Sequence, residues 1–178
     1  MPDRVIRLSG SGRRVENDVW QVLGLTPGED LSRPLPNAPV IVPLGIWKER
    51  AAELGERREP LGVWLRPDED PADIATDLDR FSVVAVHFPK FTDGRGYSTA
   101  ALLRNRYRYR GELRAIGDVG RDQLYYLARV GFDAFRLPDA RDPEAALASL
   151  DAFTVRYQGS VDDPLPLFRR RLAAGAQR

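Results

Sequence analysis

Apolar and polar positions change rhythm twice along this chain. Arg4-Val5-Ile6-Arg7-Leu8 and Val19-Trp20-Gln21-Val22-Leu23 read as strands. The glycine-rich link Ser9-Gly10-Ser11-Gly12 between them predicts a β-hairpin. Pro27, Pro34, Pro36, Pro39 and Pro43 follow. Each removes a backbone donor and fixes φ, so residues 26–43 read as an extended connector. From Val40 onward, short continuous apolar runs alternate with stretches of helical spacing. The runs centre on Ile41, Val63, Ala85, Ala115 and Phe135, at successive separations of 22, 22, 30 and 20 residues. Between them lie the apolar stripes Trp47/Ala51/Leu54, Ile74/Leu78/Phe81, Leu102/Leu103 and Leu124/Leu127/Ala128, and a last helix ending near Leu150. Asp70-Pro71 and Asp142-Pro143 read as helix starts, a capping carboxylate followed by proline at the first helical position. Phe153 to Tyr157 reads as one more strand.

One strand and one helix per interval predicts βα units with right-handed crossovers and a parallel sheet. The expected fold is therefore α/β: an N-terminal β-hairpin, then about five βα units. A partial TIM-barrel-like arc is favoured over a flavodoxin-like doubly wound sheet. A complete eight-fold barrel of about 250 residues does not fit a chain of this length. Three regions are expected: residues 1–39 as hairpin and connector, 40–158 as the α/β domain, and 159–178 as a basic tail.

Composition narrows the chemistry. The 178 residues are 43% hydrophobic and 30% charged, which is globular, with 27 basic against 26 acidic residues. Bulk charge gives no reason to expect nucleic acid or an anionic membrane. There is no cysteine, so disulfides, thiolate metal sites and cysteine nucleophiles are excluded. His87 is the single histidine, which rules out a histidine-rich metal site. No apolar signal core follows Met1-Pro2-Asp3-Arg4, so a cytoplasmic location is expected.

Parallel α/β sheets bind ligands outside the carboxyl ends of their strands. Two loops stand out there. Phe88-Pro89-Lys90-Phe91-Thr92-Asp93-Gly94-Arg95-Gly96-Tyr97-Ser98 is longer than the usual βα connection. Gly117-Asp118-Val119-Gly120-Arg121-Asp122-Gln123 follows the next strand. Lys90, Arg95 and Arg121 are the candidate anion binders, with Tyr97, Ser98 and Gln123 completing the binding set. Gly94 and Gly96 would let the backbone approach a ligand, and Ser98 would cap the next helix. Asp93 and Asp118 are the candidate proton-handling residues; Asp118 reads equally well as a helix cap, and Asp122 as a charge suited to a first helical turn. His87 ends its strand beside the first loop, more readily a packed residue than a catalyst. No carboxylate spacing is diagnostic of a metal. Arg104-Asn105-Arg106-Tyr107-Arg108-Tyr109-Arg110 interleaves cations and aromatics; a helix end with snorkelling arginines is favoured over a single-strand nucleic-acid surface.

The same two loops, with Gly111-Glu112-Leu113-Arg114-Ala115-Ile116 between them, resemble a bacterial family of unknown function linked to oxidoreductase chemistry in sulfite reduction. Its genes neighbour those for assimilatory sulfite reductase. The resemblance covers roughly residues 38–158 and is densest from Phe88 to Phe135; Gly120 departs from it, standing where an apolar residue is expected. The resemblance implies an accessory protein or oxidoreductase of assimilatory sulfite or sulfate reduction, with sulfite reductase as partner. The residues add an anion pocket on the strand rim, for sulfite, a sulfate ester or a cofactor phosphate. No dinucleotide fingerprint is present, and the cofactor is unknown; any hydride would have to come from a nicotinamide or flavin. The alternatives are a docking or assembly module for sulfite reductase, and a metal-assisted lyase or hydrolase using the aspartates.

Overall fold

The computed structural model describes residues 3–10, 12–138, 142–151, 153 and 155–175. Eight strands form one sheet: β1 (Arg4–Ser9), β2 (Gly12–Asn17), β3 (Gln21–Val22), β4 (Val40–Pro43), β5 (Leu61–Leu65), β6 (Val83–Phe88), β7 (Glu112–Gly117) and β8 (Ala134–Phe135). Five α-helices accompany them: α1 (Leu44–Gly55), α2 (Arg95–Asn105), α3 (Leu124–Arg129), α4 (Pro143–Leu147) and α5 (Leu167–Gly175). The strand order is β2-β1-β8-β7-β6-β5-β4-β3. Strands β3 to β8 run parallel in chain order, and the sheet curls into a half-barrel. A doubly wound sheet would reverse its order at a switch point, and none occurs between β3 and β8.

The sheet is mixed rather than wholly parallel. Strand β1 lies antiparallel to both β2 and β8. The hairpin forms, but its return strand is Gly12–Asn17, because the register pairs Ser9 with Gly12 and turns the chain at once. Gln21–Val22 instead joins the opposite edge of the sheet, parallel to Val40–Ile41. The helix expected after Asp70 is two 3₁₀ turns, Pro71–Ile74 and Leu78–Arg80, although Asp70 does cap Ala72 N–H at 2.8 Å. Asp142 caps α4 through Glu144 N–H at 3.0 Å. Phe153 and residues 155–157 are not in a strand; Thr154 lies outside the described residues.

Alternation along each strand sorts the core into two layers. Val40, Val42, Val63, Leu65, Val84, Val86, Leu113 and Ala115 pack with Trp47, Leu54, Leu103, Leu124 and Leu127 from the helices. Ile41, Trp64, Val83, Ala85 and Ile116 face the other way and are covered by Trp20, Val22 and Leu25. The N-terminal segment therefore lines the inner side of the half-barrel, held by the Trp64 indole N–H donating to Leu23 O at 2.7 Å.

Arg114 also points to that inner side. Its guanidinium meets Asp18 at 2.7 Å, and both side chains are 0% exposed. Arg114 Nε donates to Glu112 at 2.7 Å, Glu112 accepts from Arg7 at 2.8 Å, and Arg7 donates to Glu16 at 2.6 Å. Glu16 is also paired with Arg14. Losing one member of a buried pair strands the other charge in a low-dielectric interior. Replacing Arg114 with Met is expected to lower the unfolding free energy by about 3–5 kcal/mol in urea denaturation. A loss below about 1 kcal/mol, the scale of an exposed pair, would contradict this burial.

Candidate functional site

The loop after β6 spans only residues 89–94, within the usual length for a βα connection because α2 already starts at Arg95. It meets its neighbour at the carboxyl ends of β6 and β7, where Phe88 pairs with Gly117. Gly117 has φ +95°, and a Cβ there would lie 2.3 Å from Phe88 O and 2.7 Å from His87 Cδ2. Only glycine allows the chain to turn this close to β6. The turn aims Asp118 at the facing loop, where its carboxylate accepts the Phe91 backbone N–H at 3.0 Å. Gln123 grips the same residue from the other side, donating from Nε2 to Phe91 O at 3.0 Å. The Gln123 amide oxygen in turn accepts Gly120 N–H at 2.8 Å. Asp118 is thus a loop-to-loop tie rather than a helix cap, since α3 begins later, at Leu124.

Asp93 and Arg95 form a local pair. Arg95 donates to Asp93 from Nε at 3.0 Å and from Nη2 at 2.7 Å. This hydrogen bonding holds the Asp93 carboxyl below its usual range and raises Arg95. Helix α2 starts at Arg95 after Gly94, so Ser98 sits exposed in the second turn and caps nothing. Gly96 serves packing rather than ligand approach: a Cβ there would come 2.6 Å from Phe88 Cζ. The Tyr97 ring packs edge-on against Phe88 at 5.9 Å, and its hydroxyl faces Gln123. Burial, then the nearby Asp122 charge, push that phenol up.

Lys90, Arg121 and Asp122 are exposed, and among the described residues neither Lys90 nor Arg121 forms a salt bridge. Arg121 and Asp122 line a cleft of about 380 Å³ with Gly120, Leu137 and Ala146. His87 packs edge-on against Trp64 at 5.5 Å on the inner face of the sheet. Among the described residues no three His, Asp or Glu side chains are grouped as a metal ion requires, so Asp93, Asp118 and Asp122 do not make a shared ligand set. Also among the described residues, no helix is long and apolar enough to cross a membrane.

Two features escaped the sequence reading. One is the Phe91 backbone, since any residue can be gripped by its N–H and C=O. The other is a cleft of about 600 Å³ between α3 and Phe153 with residues 155–160, lined by Tyr97, Tyr125, Tyr126, Phe153 and Tyr157 among others. Its only signal in the sequence is the Tyr125-Tyr126 doublet and the alternation Phe153, Val155, Tyr157.

The sequence profile of a bacterial family, described as bacterial protein of unknown function (DUF934), matches residues 62–168. The chain belongs to this family. No curated protein and no solved structure matches it significantly. The span matched by DUF934 holds both rim loops, Gly117 and Gln123, whereas β1 to β4 and α1 lie before it.

Two outcomes test this geometry. Gly117→Ala is expected to destabilise the protein by at least about 1–3 kcal/mol, the cost of a disfavoured backbone conformation, and to loosen the rim. Limited proteolysis should then cut within residues 89–94. The lone imidazole gives a single set of NMR signals, and its midpoint should fall below the unperturbed value of about 6.5, because burial lowers it. The unfolded chain then binds this proton more readily than the folded one. His87 stability is accordingly intact above the unfolded value and declines as pH falls through it toward the folded midpoint. A midpoint above the unperturbed value would contradict the packing.

Proposed function

We propose that this protein is an accessory protein of assimilatory sulfite or sulfate reduction that binds a small oxyanion at the carboxyl rim of its parallel strands. One observation supports the anion reading: the two loops tied together at Phe91 carry Lys90 and Arg121, both exposed and without a salt bridge among the described residues. The side-chain-to-backbone ties fix the two loops that carry these cations, which reduces the backbone ordering cost of binding. Arginine offers two parallel donors to an oxyanion, and lysine supplies a point charge. Arg95 is engaged by Asp93 and contributes only if that pair opens. The sulfur-assimilation setting rests on the resemblance of the loops to proteins encoded beside sulfite reductase. An oxidoreductase role requires a nicotinamide or flavin partner, since none of these side chains carries a hydride.

Isothermal titration calorimetry with sulfite and with inorganic phosphate tests the pocket. Joint replacement Lys90→Gln and Arg121→Gln should weaken binding by about tenfold or more, the scale of a lost charge-assisted hydrogen bond. Unchanged affinity overturns the pocket. Growth on sulfate as sole sulfur source, in a strain lacking the gene, tests the setting; rescue should follow the parent sequence and fail with the double variant.

A further inference from the structure

The segment between α2 and β7 carries chemistry that the rim does not use. Arg104, in the last turn of α2, clamps it from inside. Its Nε donates to Gly131 O at 2.9 Å, its Nη1 to Tyr109 O at 2.8 Å and Gly111 O at 2.9 Å, and its Nη2 to Asp133 at 2.7 Å. Tyr109 is buried, with its N–H on Leu103 O at 3.0 Å and its hydroxyl on Phe81 O at 3.0 Å. The Tyr107 N–H donates to Leu102 O at 3.1 Å. Within this frame Arg108 holds φ +57°, and no other described non-glycine residue has positive φ. A non-glycine residue stays in that conformation only where its surroundings impose it, and such positions gather at functional sites.

Within this frame Tyr109 is buried and Tyr107 half-buried against the core, while Arg106, Arg108 and Arg110 are exposed. Among the described residues none of the three forms a salt bridge, whereas elsewhere arginine is this chain's habitual ion-pair residue, from Arg4 to Arg170. The negative end of α2 accounts for a cation at Arg106; it does not reach Arg108 or Arg110. Leu102, one turn before Arg106, adds a large apolar side chain left 38% exposed. Three exposed arginines within five residues, close in sequence to an exposed leucine, have the composition of a protein–protein anchor.

We propose that residues 102–110 form a docking surface for a protein partner that presents an acidic patch. Carboxylates match the guanidinium fork and would relieve the repulsion among three neighbouring cations. Single-stranded nucleic acid would need free aromatic faces for its bases; Tyr109 is buried and Arg106 covers Tyr107 at 5.6 Å. Anionic membranes are recognised by clusters of about 4–8 cations, more than this loop holds. The surface lies at the amino end of β7, about 20 Å along the strand from the anion rim. Its success or failure is therefore separate from that of the rim.

Fluorescence anisotropy with a labelled peptide of alternating glutamates and leucines tests the proposal. A single-stranded oligonucleotide of equal charge and phosphatidylserine vesicles serve as rival probes. The peptide should bind the full chain, and the triple variant R106Q/R108Q/R110Q should bind it at least about tenfold more weakly. K90Q/R121Q should bind it as the parent does. Arg108→Gly controls for folding: glycine accepts positive φ, so binding should weaken while thermal unfolding is unchanged or raised. Absence of peptide binding to the parent, equal binding by the triple variant, or tighter retention of the oligonucleotide or vesicles would each overturn the assignment.

Discussion

A chain of alternating charges across the inner side of the half-barrel holds the architecture together. It runs from Asp18 through Arg114, Glu112 and Arg7 to Glu16 and Arg14. Asp18 belongs to the N-terminal segment, Arg114 and Glu112 to β7, Arg7 to β1, and Glu16 and Arg14 to β2. The N-terminal hairpin and the residue that follows it are thereby tied to β7, in addition to the core that Ile6 shares with Leu113 and Ala115. With β1 paired antiparallel to β8, Arg7 of the hairpin meets its countercharge, Glu112, on β7. A buried ion pair adds little net stability over an apolar pair of similar size, but it penalises every arrangement that leaves one charge unpaired.

With the hairpin closing one edge and the N-terminal segment filling the inner face, the helices are confined to the outer face. The carboxyl ends of β6 and β7 are left as neighbours, and their loops face each other over a short distance. Gly117 turns the chain against Phe88, Asp118 and Gln123 grip Phe91, and Gly96 lets α2 lie against β6. The loop after β6 is of ordinary length, residues 89–94, and it is fixed at its middle. This is a rim set in advance of any ligand. The sulfite-reduction setting remains a proposal built on the likeness of these loops.

The opposite end of the strands is organised by a different device. Arg104 spends its donors on three backbone carbonyls and Asp133, and Asp133 also accepts Leu113 N–H at 2.7 Å. Burial pushes the Asp133 carboxyl up, with Arg104 opposing that rise. One arginine is consumed inside so that three others can be displayed outside.

The βα rhythm was legible because it depends on burial alone: Val63, Val84 and Leu113 are apolar for the same reason they are strands. The caps at Asp70 and Asp142 were legible because they are local hydrogen bonds two residues long. The return strand of the hairpin was misread because residues 12–17 are charged on an exposed edge strand and carry little apolar signal. Ser98 was assigned a cap because a helix start one turn earlier, at Arg95, depends on Gly96 fitting against Phe88, a contact between distant elements. The sequence by itself determined the apolar strands β4 to β8, most of the helices between them and the residue types at the rim, since these follow from spacing and local bonding. Only the tertiary structure decided which strands are neighbours, which cations are already paired and which remain open, because partners such as Arg114 and Asp18 are distant in the chain and meet only when the sheet closes around them.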